Sequence, residues 1–393
     1  MRRVVVLGAL VCVAAAVLTG FAVAGKGNGN DKTFQYAVGL WGDMPYSDAQ
    51  ALTGVPNVVA DMNNSDIEFS VHDGDWKAGN GTPGSTTVTT CANGVYTQGL
   101  GYLNSLERPA FFTPGDNDWT DCDRTSNGPF NALERLQYER SVFFSDAQSL
   151  GQKRMTAQVQ KTPSCLGTTS TTGSPTFATP CSENRRWTFR GVTYATLNVQ
   201  GTCNNLCSSG TGDPKATDPG GAAVQAARVA EYSAREAADE QWLAETFAEA
   251  RAQGSAGVMI IWQADPGFDL SGYQGAAKRD PRTLVASPAD NSGTSDFVDG
   301  WHDILVKLRN EVIAYGKPVV LVHGDSHYFM IDKPLVDSKG FRIENFTRVE
   351  TFGDNQPTPN ENHWVKALID PQSRDVFAFQ PQTVPENPVP YTP

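Results

Sequence analysis

Basic residues are in short supply in this sequence, with 31 lysines and arginines against 43 aspartates and glutamates in 393 residues. A chain so acidic lacks the surface that neutralises phosphates, which excludes generic nucleic-acid binding and suits a protein that concentrates cations. No two cysteines are spaced as CxxC, so cysteine-based metal binding is not indicated. No internal repeat recurs and no composition break separates two domains, so the folded region reads as one large domain. Histidine is scarce too, at five residues.

What is present begins with "MRRVVVLGALVCVAAAVLTGFAVAG", two arginines, an apolar run and a small-residue ending. That is the pattern of a secretory signal peptide spanning residues 1–24. It implies a secreted or extracytoplasmic protein with no stable membrane anchor after cleavage. A polar linker follows over 25–33, and the folded domain is expected over 34–379. Cleavage leaves 29 basic residues, a net charge of −14, and the six cysteines Cys91, Cys122, Cys165, Cys181, Cys203 and Cys207. An even set in an exported chain implies disulfides. Sequence proximity favours Cys165–Cys181 and Cys203–Cys207, which leaves Cys91 for Cys122. Segments 79–90, 161–183 and 201–221 are rich in Gly, Ser, Thr and Pro and read as loops. Helices are expected over 222–253 and 296–315, and a proline-rich, extended tail over 380–393.

Between these lie apolar runs of strand length with similar punctuation. "FQYAVGLW" ends at Gly42-Asp43, "IEFSVHD" at Gly74-Asp75, "PAFFTP" at Gly115-Asp116, "VVLVH" at Gly324-Asp325 and "FTRVETF" at Gly353-Asp354, while "GVMIIW" runs into Gln263-Ala264-Asp265. Strands separated by helices and apolar on both faces predict an α/β protein. In such sheets the loops at the carboxyl ends of the strands build the site. One Gly-Asp pair is an ordinary turn. Several in succession, with His327 close by in "VHGDSH", point to a shared crevice of carboxylates.

In order and spacing, "GDMPY", "GDWKA", "GDND", "WQADP" and "GDSH" resemble the five blocks of the calcineurin-like metallophosphoesterase superfamily, namely D-x-H, G-D-x-x-D, G-N-H-[DE], a lone His after a strand, and G-H-x-H. The resemblance is closest to a divergent exported group with "TPGDN-acid-WTDC" and "HGDSHYF" blocks, and it covers most of residues 34–371. It implies a metallophosphoesterase-like sandwich of two mixed sheets flanked by helices. Carried over residue by residue, Asp43, Asp75 and His327 match metal ligands directly. Asp116 and Asp325 stand at the asparagine and first-histidine ligand positions. Gln263 falls near the lone histidine, with Asp265 as the alternative. Asn117 takes the slot of the catalytic histidine, Asp118 that of its carboxylate partner, and Pro45 replaces a histidine that it cannot mimic.

These departures keep oxygen ligands, so the implied cofactor is one or two divalent ions, Mn²⁺, Mg²⁺ or Ca²⁺ rather than Zn²⁺ or iron. Four converging carboxylates without a cation would oppose one another's ionisation. The implied partner is a phosphate ester substrate, hydrolysed by metal-activated water. Asn117 cannot supply a proton near neutral pH, which leaves His72 as a substitute acid–base group. Lys77 and Arg124 are candidates to hold phosphate. Trp76, Trp119 and Trp262 read as packing or as an aromatic wall, and His323 as a core residue. The rival reading is an inactive relative that binds a cation or a phosphorylated ligand.

Overall fold

The apolar runs become twelve strands in the computed structural model, which describes residues 35–81, 85–161, 181–207, 221–268, 278–287, 298–353 and 362–387. They are β1 (Tyr36–Trp41), β2 (Phe69–His72), β3 (Ala110–Phe112), β4 (Gln158–Val159), β5 (Arg185–Phe189), β6 (Val192–Thr196), β7 (Gly257–Ile261), β8 (Val319–His323), β9 (Met330–Asp332), β10 (Phe346–Glu350), β11 (Trp364–Ile369) and β12 (Phe377–Gln382). The expected signal peptide, the linker, Cys165 and Asp354 lie outside the described residues.

One sheet has the order β12-β11-β1-β2-β3 and the other β4-β5-β6-β7-β8-β10-β9. Both are mixed. β1, β2 and β3 run parallel, as do β6, β7, β8 and β10, and antiparallel strands close the edges. Strand alternation explains the two-sided apolar runs. Val38, Leu40, Val71, Ile261, Val320 and Val322 fill the space between the sheets. Their neighbours face outward. Ala37 and Trp41 pack with the helices Val55–Asn64 and Asn93–Ser105, and Val258, Ile260 and Leu321 with Gly221–Gln253 and His302–Tyr315. At ~1.5–3 kcal/mol per buried large apolar side chain, these three layers dominate the stability. The architecture is the α/β sandwich of two mixed sheets flanked by helices expected from the sequence.

Two boundaries differ. The helix expected over 296–315 begins at His302. Asp299 is held by Arg279 at 2.5 and 2.7 Å, and the Trp301 indole donates to the Gln200 carbonyl, so the chain before His302 is committed elsewhere. The expected tail begins as sheet, because β12 pairs with β11 through Gln382. Beyond it, Asn387 donates to the carbonyls of Gly54 and Asn362. Cys203–Cys207, favoured by sequence proximity, and Cys91–Cys122, the pair left over, are disulfides with Cα separations of 5.2 and 5.6 Å. The pairing expected for Cys165 lies outside the described residues. Among the described residues, no helix is long and apolar enough to cross a membrane.

Candidate metal centre

The parallel strands of both sheets open toward one edge, where their following loops lock together through the backbone. Asp43 N donates to Gly74 O, Thr113 N to His72 O, Gly324 N to Gln263 O and Thr351 N to His323 O, all at 2.9–3.1 Å. The turns are sharp. Asp43, Asp75, Asp325 and His327 all have positive φ, between 49° and 76°. L-residues adopt that region at a cost, which aspartate bears better than most, and such residues cluster at functional sites. The glycines before them serve close approach. A Cβ at Gly115 would overlap the Asp75 carboxylate, and one at Gly324 would overlap that of Asp43.

The side chains then converge on a residue that the sequence reading passed over. The Tyr46 hydroxyl lies 3.1 Å from Asp43 Oδ1, 3.0 Å from Asp75 Oδ2, 3.1 Å from Asn117 Nδ2 and 3.1 Å from His327 Nε2. With one proton, it donates to only one carboxylate at a time. Asp75 Oδ2 also accepts from Asn117 Nδ2 at 2.8 Å and Gln263 Nε2 at 3.1 Å. Gln263 Nε2 reaches Asp116 Oδ1 at 3.1 Å, and the Thr202 hydroxyl reaches Asp116 Oδ2 at 2.8 Å. Asp325 contributes its backbone N–H to Asp43 Oδ2 at 3.0 Å. Asp43, Asp75 and Gln263 are buried, whereas Asp325 and His327 are half-buried and form the mouth.

Negative charge exceeds positive charge here. Burial, reinforced by Asp116, holds the carboxyls of Asp75 and Asp325 well above the ordinary range. Burial opposes ionisation of Asp43 too, but the hydrogen bond and charge of His327 outweigh it and bring that carboxyl below the ordinary range. Burial and the adjacent Asp75 and Asp43 push the Tyr46 phenol well above its usual value, so it stays neutral.

The donor chemistry fits a hard cation. Asp116 and Asp325 face each other across Gly201, where a Cβ would come within 2.6 and 2.9 Å of their carboxylate oxygens. Oxygens of Asp43, Asp75, Asp116 and Asp325 with one imidazole make a hard set. Among the described residues, however, no three His, Cys, Asp or Glu side chains are arranged to hold a metal ion as they stand. Tyr46 Oη and Gln263 Nε2 stand between the carboxylates.

Several expected roles change. Gln263 is at the cluster, where its oxygen accepts from Gly201 N at 2.6 Å and its nitrogen donates to Asp75 and Asp116 at 3.1 Å. Asp265 accepts from Ser326 Oγ and Gly267 N, and its own N–H donates to Asp325 Oδ2 at 3.0 Å. His72 is not a catalytic candidate. Its ring is fully buried, stacked 3.7 Å from Trp76 and edge-on to Trp41, and burial pulls its pKa down to about 3. Asn117 is in place, with its amide committed to Asp75 and Tyr46. Asp118 does not assist Asn117. It accepts from the backbone N–H of Asp75, Trp76 and Gly115 at 2.6–3.0 Å, pinning two loops together, and burial still pushes it up to about 6. Asp118→Ala would leave three buried N–H groups unpaired and should cost about 3 kcal/mol in urea unfolding.

Lys77 is buried against Asn127 and Ala78 O, and burial pulls it down to about 8. Arg124 pairs with Asp121 at 2.6 Å. Neither is turned to the carboxylates by these contacts. Trp76, Trp119 and Trp262 are packing residues, each at most 2% exposed. His323 is likewise buried, its ring nitrogen 2.9 Å from Gly324 O.

No family model and no curated protein matches the sequence. Among solved structures, the chain is similar to GAP50, the anchor in the inner membrane complex of Plasmodium, at 9% identity over 91% of this chain and 87% of that one, with a TM-score of 0.37. It is also similar to a 5'-nucleotidase from Candida albicans, at 10% identity over 88% of this chain and 50% of the nucleotidase, with a TM-score of 0.35. The chain thus spans half the length of that nucleotidase.

Proposed function

We propose that the chain is an exported, divergent member of the calcineurin-like metallophosphoesterases and hydrolyses phosphate esters with a divalent cation. The observation that carries this reading is the meeting of four buried or half-buried carboxylates and one imidazole, drawn from strand ends of both sheets and short of counter-charge. Asp43, Asp75, Asp116, Asp325 and His327 would hold the cation, with Mn²⁺, Mg²⁺ or Ca²⁺ preferred. A bound cation lowers the pKa of its water and offsets charge on phosphoryl oxygens. Asn117, whose amide donates to Asp75 and Tyr46, supplies no proton. General acid help is worth ~10²–10⁴-fold, so esters whose leaving group departs unprotonated are the better substrates.

A second reading, a cation or phospho-ligand binder without turnover, is favoured by Asn117, which cannot supply a proton, and by the burial of His72. Calorimetric titration with the three cations, followed by hydrolysis of aryl and alkyl phosphates, separates the two. We expect binding, and aryl ester turnover at least about tenfold above alkyl. Binding without turnover leaves the second reading, and no cation binding removes the first reading and the cation-binding form of the second.

A further inference from the structure

Among the described residues, every buried arginine but one makes a side-chain hydrogen bond or ion pair. Arg140 grips Glu183 at 2.7 and 2.5 Å, Arg235 holds Glu231 and Asn204, and Arg279 holds Asp299. Arg185, the first residue of β5, is 3% exposed, yet none of its three guanidinium nitrogens has a hydrogen-bond partner. Burial pulls its pKa down to about 10, so it still carries its charge at neutral pH. The neighbouring acids Glu183 and Asp146 attract it through space but make no hydrogen bond to it. Glu183 is committed to Arg140, and Asp146 is exposed and caps the N–H of Gln148.

The guanidinium lies 5.5 Å from the centre of the Phe144 ring and lines a cleft with Phe111, Phe112, Phe143 and Ser149. A buried, unpaired charge is among the costliest features a fold can contain. The space in the cleft is ≈ 10 Å³. That admits one occupant close to the size of a water molecule and excludes phosphate, sulfate and organic acids.

We propose that this cleft binds a single small monovalent anion of the halide class on the Arg185 guanidinium. The anion would sit where three elements meet: β3 of the first sheet, the end of the helix Ala132–Phe143, and β5 of the second sheet. Its role is to neutralise Arg185 and hold the two sheets together at that edge. It takes no part in the carboxylate cluster.

Two measurements on the full chain test this. Crystals grown with sodium bromide should show an anomalous peak within hydrogen-bonding reach of Arg185. In solution, exchanging sodium methanesulfonate for sodium chloride or bromide at equal ionic strength should raise the thermal midpoint by about 2–4 °C. Arg185→Met should remove that difference. An ordered water with no anomalous peak, or equal midpoints in the two salts, overturns the proposal. A bromide peak without a solution effect marks an adventitious ion only, which also overturns it. Should Arg185→Met fail to fold, the bromide map and the salt comparison on the native chain still decide.

Discussion

Asp75→Asn should weaken divalent-cation binding by roughly 10²–10³-fold and abolish phosphate-ester turnover. Asp75 is the carboxylate that the most partners share, with Tyr46, Asn117 and Gln263 all directed at one of its oxygens. Removing one charge from a buried charge pairing costs about 2–5 kcal/mol, and each 1.36 kcal/mol is about tenfold. An asparagine would also turn an N–H toward groups that are themselves donors. The pH dependence gives a second readout. Asp75 and Asp325 are held above the ordinary carboxylate range, so the cation-free fold keeps protons that the unfolded chain has already released. Stability without cation therefore falls as pH rises above that range. Cation entry expels those protons, so affinity should tighten as pH rises. In Asp75→Asn one of the two groups is gone, and the slope should be shallower. Calorimetry at several pH values measures both effects, and equal affinity in both proteins would place the cation elsewhere.

Tyr46→Phe should act in the opposite direction on binding. The hydroxyl reaches the two carboxylates from a distance at which a cation would compete with it. Without it, the cation-free cluster loses a donor, and the protein should lose about 1–3 kcal/mol of stability at neutral pH. Whatever destabilises the free state alone tightens binding by the same amount, so cation affinity should rise by about tenfold or more. Chemical denaturation without cation and calorimetry with it check the two halves. A weaker affinity in the variant would mean that the phenol oxygen itself coordinates.

Much of this arrangement was legible in the chain because it is local. An apolar run, a glycine and an aspartate specify a strand, a sharp turn and an inward carboxylate, and that rule located Asp43, Asp75, Asp116 and Asp325. His72 was also within reach of local reasoning. Val71 faces the space between the sheets, so strand alternation puts His72 on the opposite face, against Trp41 and Trp76. Other assignments depend on partners far away in sequence. Tyr46 is an ordinary aromatic residue until Asp75 and His327 arrive, 29 and 281 residues later. Gln263 is oriented by Gly201 N and Asp265 by Ser326, and neither contact has a sequence signature. Asp118 had the expected place but a different task, because the backbone N–H groups of the neighbouring turns reach it first.

The bond from Asp325 N to Asp43 Oδ2 spans 282 residues and joins loops that follow β8 and β1. A nascent polypeptide still lacking β8 can carry Asp43, Asp75 and Asp116, but it has nothing to close the second side of the crevice. On the proposed function, cation capture would then wait until β8 has joined the sheet. Products truncated before β8 should then bind divalent cations far more weakly than the finished chain.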